Sequence, residues 1–393
     1  KAKGKYKKSY RDAKQSYLNR ICWGVSMFYF GMGLCFSSWA SRIPTIKADL
    51  QLSDGELGTI LFALPVGQLT MMFFSGKLVT RFGSERILPL AVFMYTISLT
   101  NIGLAQNAWQ LALGLVSFGI FGNLTNISLN TQVVYTEGLF RRTIMTSFHG
   151  MWSLAGFTGA LVGLGMLALN ITTYMHFVIV VLVVLALVAF NYKYLIKAKE
   201  KVHTEKKKTF RKPDKSLVLL GVIGFCSMAS EGIMFDWSGI YFKDVVKAPG
   251  PLIVIGYTSF MIMMASGRFF GDRLINKFGR KKVMQISGIM ISFGLYSAVL
   301  FPYIIPATIA FMIVGLGVSS IIPTLYSIAG KHQTIPTGEA LTAVSSVSFL
   351  GFLIGPPLIG HISELFGLQF SFAFIGMFGI LIALMVKKVK AIE

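Results

Sequence analysis

The chain has 393 residues, 54% hydrophobic and 13% charged, and its 37 Lys and Arg outnumber 16 Asp and Glu for a formal net charge of +21. A soluble domain carries about 25% charged residues, so a water-soluble globule is excluded, and the mean hydropathy of +0.66 marks a chain built for lipid. Its long, continuous apolar runs exclude a barrel, whose strands read as ten-residue alternations of about two residues' period.

In chain order the apolar runs fall at 20–42, 56–76, 87–105, 108–136, 143–168, 173–195, 216–242, 251–272, 283–301, 305–330, 338–360 and 367–387. Each is close to the roughly 20 residues that a helix needs to cross a bilayer. The predicted fold class is therefore an all-α membrane protein of twelve transmembrane helices. The first run is too long for a cleavable signal peptide and lies behind a basic tail. Sorted by the side on which they fall, 33 of the 37 Lys and Arg share one side. They sit in the N-terminal tail, the turns after the second, fourth, eighth and tenth spans, the segment from Lys193 to Lys215 and the C-terminal tail. Only Arg42, Lys47, Lys243 and Lys247 fall on the other side. Short basic loops stay in the cytoplasm, so a multi-pass protein of the cytoplasmic (inner) membrane with both termini cytoplasmic is expected. The positive surplus orients the chain and suits anionic lipid headgroups. The expected partners are the lipid bilayer and a small-molecule substrate, not nucleic acid, and the protein is expected to act as a monomer. Cys22, Cys35 and Cys226 fall within spans and show no metal-ligand spacing, so no metal is expected.

A basic phrase occurs twice, half a chain apart: SGKLVTRFGSER around Gly83 and GDRLINKFGRKK around Gly279. Trp39 precedes Gly83 by nearly the distance at which Trp237 precedes Gly279. The repeat predicts a six-helix bundle over 1–195, a basic cytoplasmic linker over 196–215 and a second six-helix bundle over 216–393. Parallel halves of this kind place a solute site near the bilayer midplane, between them.

On these residues the chain resembles the major facilitator superfamily, whose signature is a G-x-L-x-D-R-x-G-R-R turn after the second helix with a weaker copy after the eighth. Gly76, Leu78, Arg81, Gly83 and Arg86 match the first copy, with Thr80 where the acid belongs. The second keeps Asp272, Arg273, Lys277, Gly279, Arg280 and Lys281. The resemblance implies that Gly76, Arg81, Gly83, Asp272, Arg273 and Gly279 join a cytoplasmic charge network that gates the carrier. Glu137, Arg141 and Arg142, clustered after the fourth span, are implied to belong to the same network. The stretches around Asn130, Asp236 and Pro356 resemble the bacterial branch near the fucose permease, which implies proton-coupled uptake of small polar solutes, often sugars.

Ionisable groups inside a membrane are costly and usually functional. Glu231 lies 15 residues into the seventh span, about 22 Å at 1.5 Å per residue, and is the first candidate for proton coupling. His149 is a second candidate because histidine titrates near neutral pH. Asp236, near the outer end of the same span, is expected to pair with Arg42, near the outer end of the first, as an outer gate. Asn123, Asn126 and Asn130 lie within roughly 60° of one another around the fourth span, which fits amides that line a wet cavity or bond a neighbouring helix. Together with Gln68, Ser345 and the aromatic Trp39, Trp152, Trp237 and Tyr326, they are the expected substrate-binding residues. Pro323, Pro356 and Pro357 are candidate hinges.

No phosphate-binding loop, nucleophile elbow or zinc motif is present, so no enzymatic activity, catalytic residue or cofactor is expected beyond a proton as coupling ion. The primary expectation is a secondary active transporter that moves a small polar, sugar-like solute by proton symport and alternating access. Two readings stay open at this point: a proton-driven exporter of amphiphilic compounds, marked by a largely apolar cavity, and a non-transporting solute sensor or lipid-handling protein.

Overall fold

The structure, a computed structural model, describes residues 2–140, 145–197, 214–329 and 337–389. The first part holds α1 (Ala2–Asp49), α2 (Asp54–Leu61), α3 (Ala63–Phe82), α4 (Ser84–Gly103), α5 (Ala108–Phe140), α6 (Met145–Ala168) and α7 (Thr173–Asn191). After residues 198–213 follow α8 (Lys215–Asp244), α9 (Ile255–Phe278), α10 (Arg280–Leu300), α11 (Ile304–Ser319), α12 (Ile321–Ala329), α13 (Thr337–Phe366) and α14 (Leu368–Lys388). Among the described residues there is no strand, and 12 helical stretches are long and apolar enough to cross a membrane. Two of these are interrupted rather than continuous. Pro65 cannot donate to the Leu61 carbonyl, and Pro323 cannot donate to that of Ser319. The breaks fall at those carbonyls, between α2 and α3 and between α11 and α12. Pro44, Pro89, Pro356 and Pro357 are carried inside continuous helices.

Polar caps fix where several helices begin. Ser53 and Glu56 form a reciprocal capping box at α2, with Glu56 N donating to Ser53 Oγ at 3.2 Å and Ser53 N to Glu56 Oε2 at 2.9 Å. Asp214 caps α8 by accepting from Ser216 N at 2.7 Å. The repeated basic phrase folds the same way both times. A helix ends at Phe82 or Phe278, and the next begins one residue later, across Gly83 (φ 87°) and Gly279 (φ 82°). That backbone is open to glycine at little cost.

The helices differ in how much lipid they face. In α8, 72% of the most apolar stretch is buried in protein, and in α7 only 22%. The first is a central helix and the second a peripheral one. In the first half α1 packs on α6 and α7, and α5 on α3 and α4. In the second, α8 packs on α13 and α14, and α9 on α11. Contacts between halves include α2 with α13, α6 with α9 and with the 3-10 turn Gly250–Val254, and α1 with α8. The ends that carry the basic turns after Phe82 and Phe278 are called the basic face here, and the other ends the opposite face.

Candidate functional site

Helices α1, α3, α6, α8 and α13 surround a central cavity of about 290 Å³. It is bounded by Phe36 on α1, Gln68 on α3, Trp152 on α6, Glu231, Phe235 and Asp236 on α8, and Phe352 on α13. Residues of both halves therefore share one space. Phe235 is the hub of its aromatic wall. It meets Phe36 edge-on at 5.5 Å, Trp152 edge-on at 6.3 Å and Phe352 face-to-face at 6.1 Å. Most of the remaining lining is apolar, including Met32, Leu61, Leu64 and Met228. A wider cleft of about 730 Å³ at the opposite face includes Trp109, itself 81% exposed, and lies on the surface rather than between the halves' centres.

Glu231 does not stand alone. Arg268 on α9 donates from Nη2 to Glu231 Oε1 at 3.3 Å and from Nη1 to Ser153 Oγ on α6 at 2.8 Å. One guanidinium thus joins a cavity carboxylate of the second half to a helix of the first. The side chains of Glu231 and Arg268 are 9% and 22% exposed, so the pair is largely withdrawn from water. Such pairs are strongly destabilised when one partner is removed, because the other is left charged and buried. Sequence counting placed Arg268 with the basic turn of its helix. The signal available was its position ten residues before the helix end, inside an apolar stretch.

The opposite face is closed. Lys47 at the end of α1 lies 2.5 Å from Asp54 on α2 and 3.2 Å from Asp244 on α8. Ser363 on α13 donates to Asp54, and Lys243 Nζ approaches the Pro44 carbonyl at 3.4 Å. Thr59 Oγ1 lies 3.3 Å from His361 Nε2. Beneath these polar contacts α2 and α13 touch at their backbones. A Cβ on Gly58 would come within 2.6 Å of the Pro356 carbonyl oxygen, so only glycine permits this crossing. Away from this face, Arg268 to Ser153 is a further polar contact between halves.

The predicted site residues separate into two groups. Gln68, Trp152, Glu231 and Asp236 meet at the cavity. Asn123, Asn126 and Asn130 are not in its described lining. Asn123 accepts from Ser75 Oγ at 2.6 Å and Asn130 from Tyr29 Oη at 2.6 Å, with a long Asn130–Asn126 contact of 3.5 Å. These amides tie α5 to α3 and α1. His149 lies exposed at the start of α6, against the edge of Tyr29 at 5.5 Å. Tyr326 and Ser345 are partly buried outside the cavity lining. Trp39 and Trp237 are 1% and 0% exposed, with indole N–H groups that have no partner among the described residues. They are buried packing residues of α1 and α8, outside the described cavity lining and too buried for an interfacial belt.

The expected Arg42–Asp236 pair does not form. Arg42, 2% exposed, donates from Nε to His176 Nδ1 at 3.0 Å and from Nη2 to the Ile171 carbonyl at 2.7 Å. Both partners belong to its own half, and Asp236 instead faces the cavity. Glu231 and Asp236 lie about 140° apart around α8 at about 100° per residue, yet the cavity wraps far enough around the helix to reach both. At the basic face, Gly76, Arg81 and Arg273 are exposed. Arg81 and Arg273 lie over the rings of Phe82 and Phe270 at 5.3 and 5.9 Å and make no ion pair among the described residues. Arg141 and Arg142 lie outside the described residues, as do the side chains of Thr80, Glu137 and Asp272 and most of the 196–215 linker.

Twelve spanning helices, with a cavity shared between two sets of six, define a membrane carrier rather than an enzyme or a receptor ectodomain. The description "Major Facilitator Superfamily" matches residues 23–334 and 255–391, and the chain belongs to that family. It is 29% identical to an uncharacterized MFS-type transporter of Yersinia pestis over 351 residues, 89% of this chain and 90% of the relative. The fold is similar to that of the nucleoside transporter NupG, with a TM-score of 0.75 at 13% identity over 94% of this chain and 100% of that one. A bacterial homolog of the human lysosomal transporter Spinster gives a TM-score of 0.73 at 14% identity, over 96% and 97% of the two chains. The protein is a transporter of this superfamily.

Proposed function

We propose that the protein moves a small amphiphilic solute by proton-coupled alternating access, the bundle 1–195 rocking against 216–393. The observation that carries this is the composition of the central cavity. Its volume of about 290 Å³ and its wall of Phe36, Trp152, Phe235, Phe352 and aliphatic side chains suit a solute with an apolar body. Small-molecule pockets are built in this way, mostly apolar with a few placed polar groups. The amides expected for a sugar are engaged in bonds between helices, which favours the amphiphilic solute over the sugar-like one.

Glu231 is the proposed coupling group. It touches the cavity, and through Arg268 its charge is felt by Ser153 in the other half. Protonating Glu231 would release the guanidinium from its carboxylate and leave Arg268, which also donates to Ser153 in the other half, free to change partners. With the basic face assigned to the cytoplasm, the sealed opposite face supports an inward-facing state. Sealed contacts at Lys47 and exposed Arg81 and Arg273, with no ion pair among the described residues, belong together in that state.

Reconstitution into proteoliposomes tests the reading. Wild type should concentrate a suitable amphiphile when a pH gradient is imposed and should also show counterflow. Glu231→Gln should lose at least tenfold in gradient-driven accumulation while retaining counterflow. Undiminished accumulation by this variant would overturn proton coupling through Glu231. Absence of counterflow for any solute that binds would favour a sensor.

A further inference from the structure

The cavity contains two carboxylates, but they are not equivalent. Glu231 is neutralised by Arg268 at 3.3 Å. Asp236 faces the same space with no hydrogen bond or ion pair to any described residue. The described cavity lining includes no Lys, Arg or His. An ionised carboxylate that is out of bulk water and without a partner is expensive, and buried charges are normally paired. The aromatic wall adds a second, independent observation. Phe36, Trp152 and Phe352 surround Phe235, the residue next to Asp236, with ring separations of 5.5 to 6.3 Å. Rings attract cations through their faces, and more strongly when water is excluded. The hydroxyl of Tyr257 is also buried and lies within electrostatic reach of Asp236.

We infer that the solute is an organic cation, a substituted ammonium whose charged head pairs with Asp236 while its apolar body lies against Phe36, Trp152, Phe235 and Phe352. This rests on the amphiphile reading and adds the sign of the charge. Beside a neutral solute Asp236 would have to take up a proton to avoid an uncompensated buried charge, whereas a cation pairs with its ionised form and an anion is repelled by it. Arg268 cannot serve an anion freely, because it is already committed to Glu231 and Ser153.

The test uses purified full-length protein and two probes of the same shape, benzyltrimethylammonium and its uncharged carbon isostere neopentylbenzene. Binding is read by tryptophan fluorescence and by thermal shift. The cation should bind at least tenfold more tightly than the isostere. Asp236→Asn should abolish that preference while leaving isostere binding within twofold, and Asp236→Glu should restore it. The Asn variant's binding of the isostere also shows that its cavity is intact. Equal binding of the two probes by wild type would overturn the cation assignment while leaving the amphiphile reading in place. If neither probe binds and polar sugars do, both fail. A preference that survives in Asp236→Asn would overturn the role of Asp236.

Discussion

Asp236 follows Glu231 by five positions on α8, which sets them about 7.5 Å apart along the axis and about 140° apart around it. Each therefore meets a different neighbour, and their chemistry diverges. Glu231 points toward α9 and is paired, whereas Asp236 reaches the cavity unpaired. Arg42 is a different kind of buried charge. Its hydrogen bonds to His176 and Ile171 stay within one half, so it serves the stability of that bundle rather than the gating motion. Hydrogen bonds to a charged group contribute about 1.5–3 kcal/mol, and Arg42→Ala should lower the thermal unfolding midpoint accordingly. Reversing both Arg42 and Asp236 should not recover the transport lost on reversing either. Recovery in the double variant would reinstate a direct interaction between them. The acids were legible in the sequence because carboxylates are rare inside membrane helices. His176 was not, because a histidine near a helix end carries no pattern until its partner is seen. Nor were the aromatic wall residues, since Phe36, Phe235 and Phe352 are three among 33 Phe in an apolar chain.

Among the elements, the crossing of α2 and α13 controls the closed face. The capping box at Ser53 starts α2, and Pro65 ends its straight course, so a short rigid segment lies against α13. Gly58 and Gly360 let the two backbones meet, while Lys47, Asp54 and Ser363 add polar contacts nearby. Gly58→Val would force the helices apart, at a cost of about 1–3 kcal/mol as for other overpacked contacts. That cost falls on the sealed arrangement alone and should shift the population toward one open at the opposite face. Spin labels on α2 and α13 should then report a longer separation by pulsed electron resonance, and an unchanged distance distribution would exclude this crossing as the seal. The turns offer a contrast. Phe366-Gly367 repeats the geometry of Phe82-Gly83 and Phe278-Gly279, with φ of 89° at its glycine. It has no basic residues around it, so the Phe-Gly pair makes the turn and the flanking Lys and Arg mark the side of the membrane.

For the whole molecule, the 33-to-4 division of basic residues predicts which face meets the cytoplasm. Green fluorescent protein fused to the C-terminal end should fluoresce in cells, because it fails to mature when exported unfolded; a dark fusion that is full length would reverse the orientation. Hydropathy, charge and the duplicated turn determined, without coordinates, a twelve-span carrier of two related halves. These are properties of short windows of sequence, where lipid selects long apolar helices and cytoplasmic loops retain positive charge. What the cavity presents to a solute was decided only by tertiary structure. Burial of α8 at the centre, the pairing of Arg268 with Glu231 and the diversion of Asn123 and Asn130 into contacts between helices all depend on neighbours distant in sequence. A polar residue within a membrane must find a partner, and the sequence displays the residue without the partner.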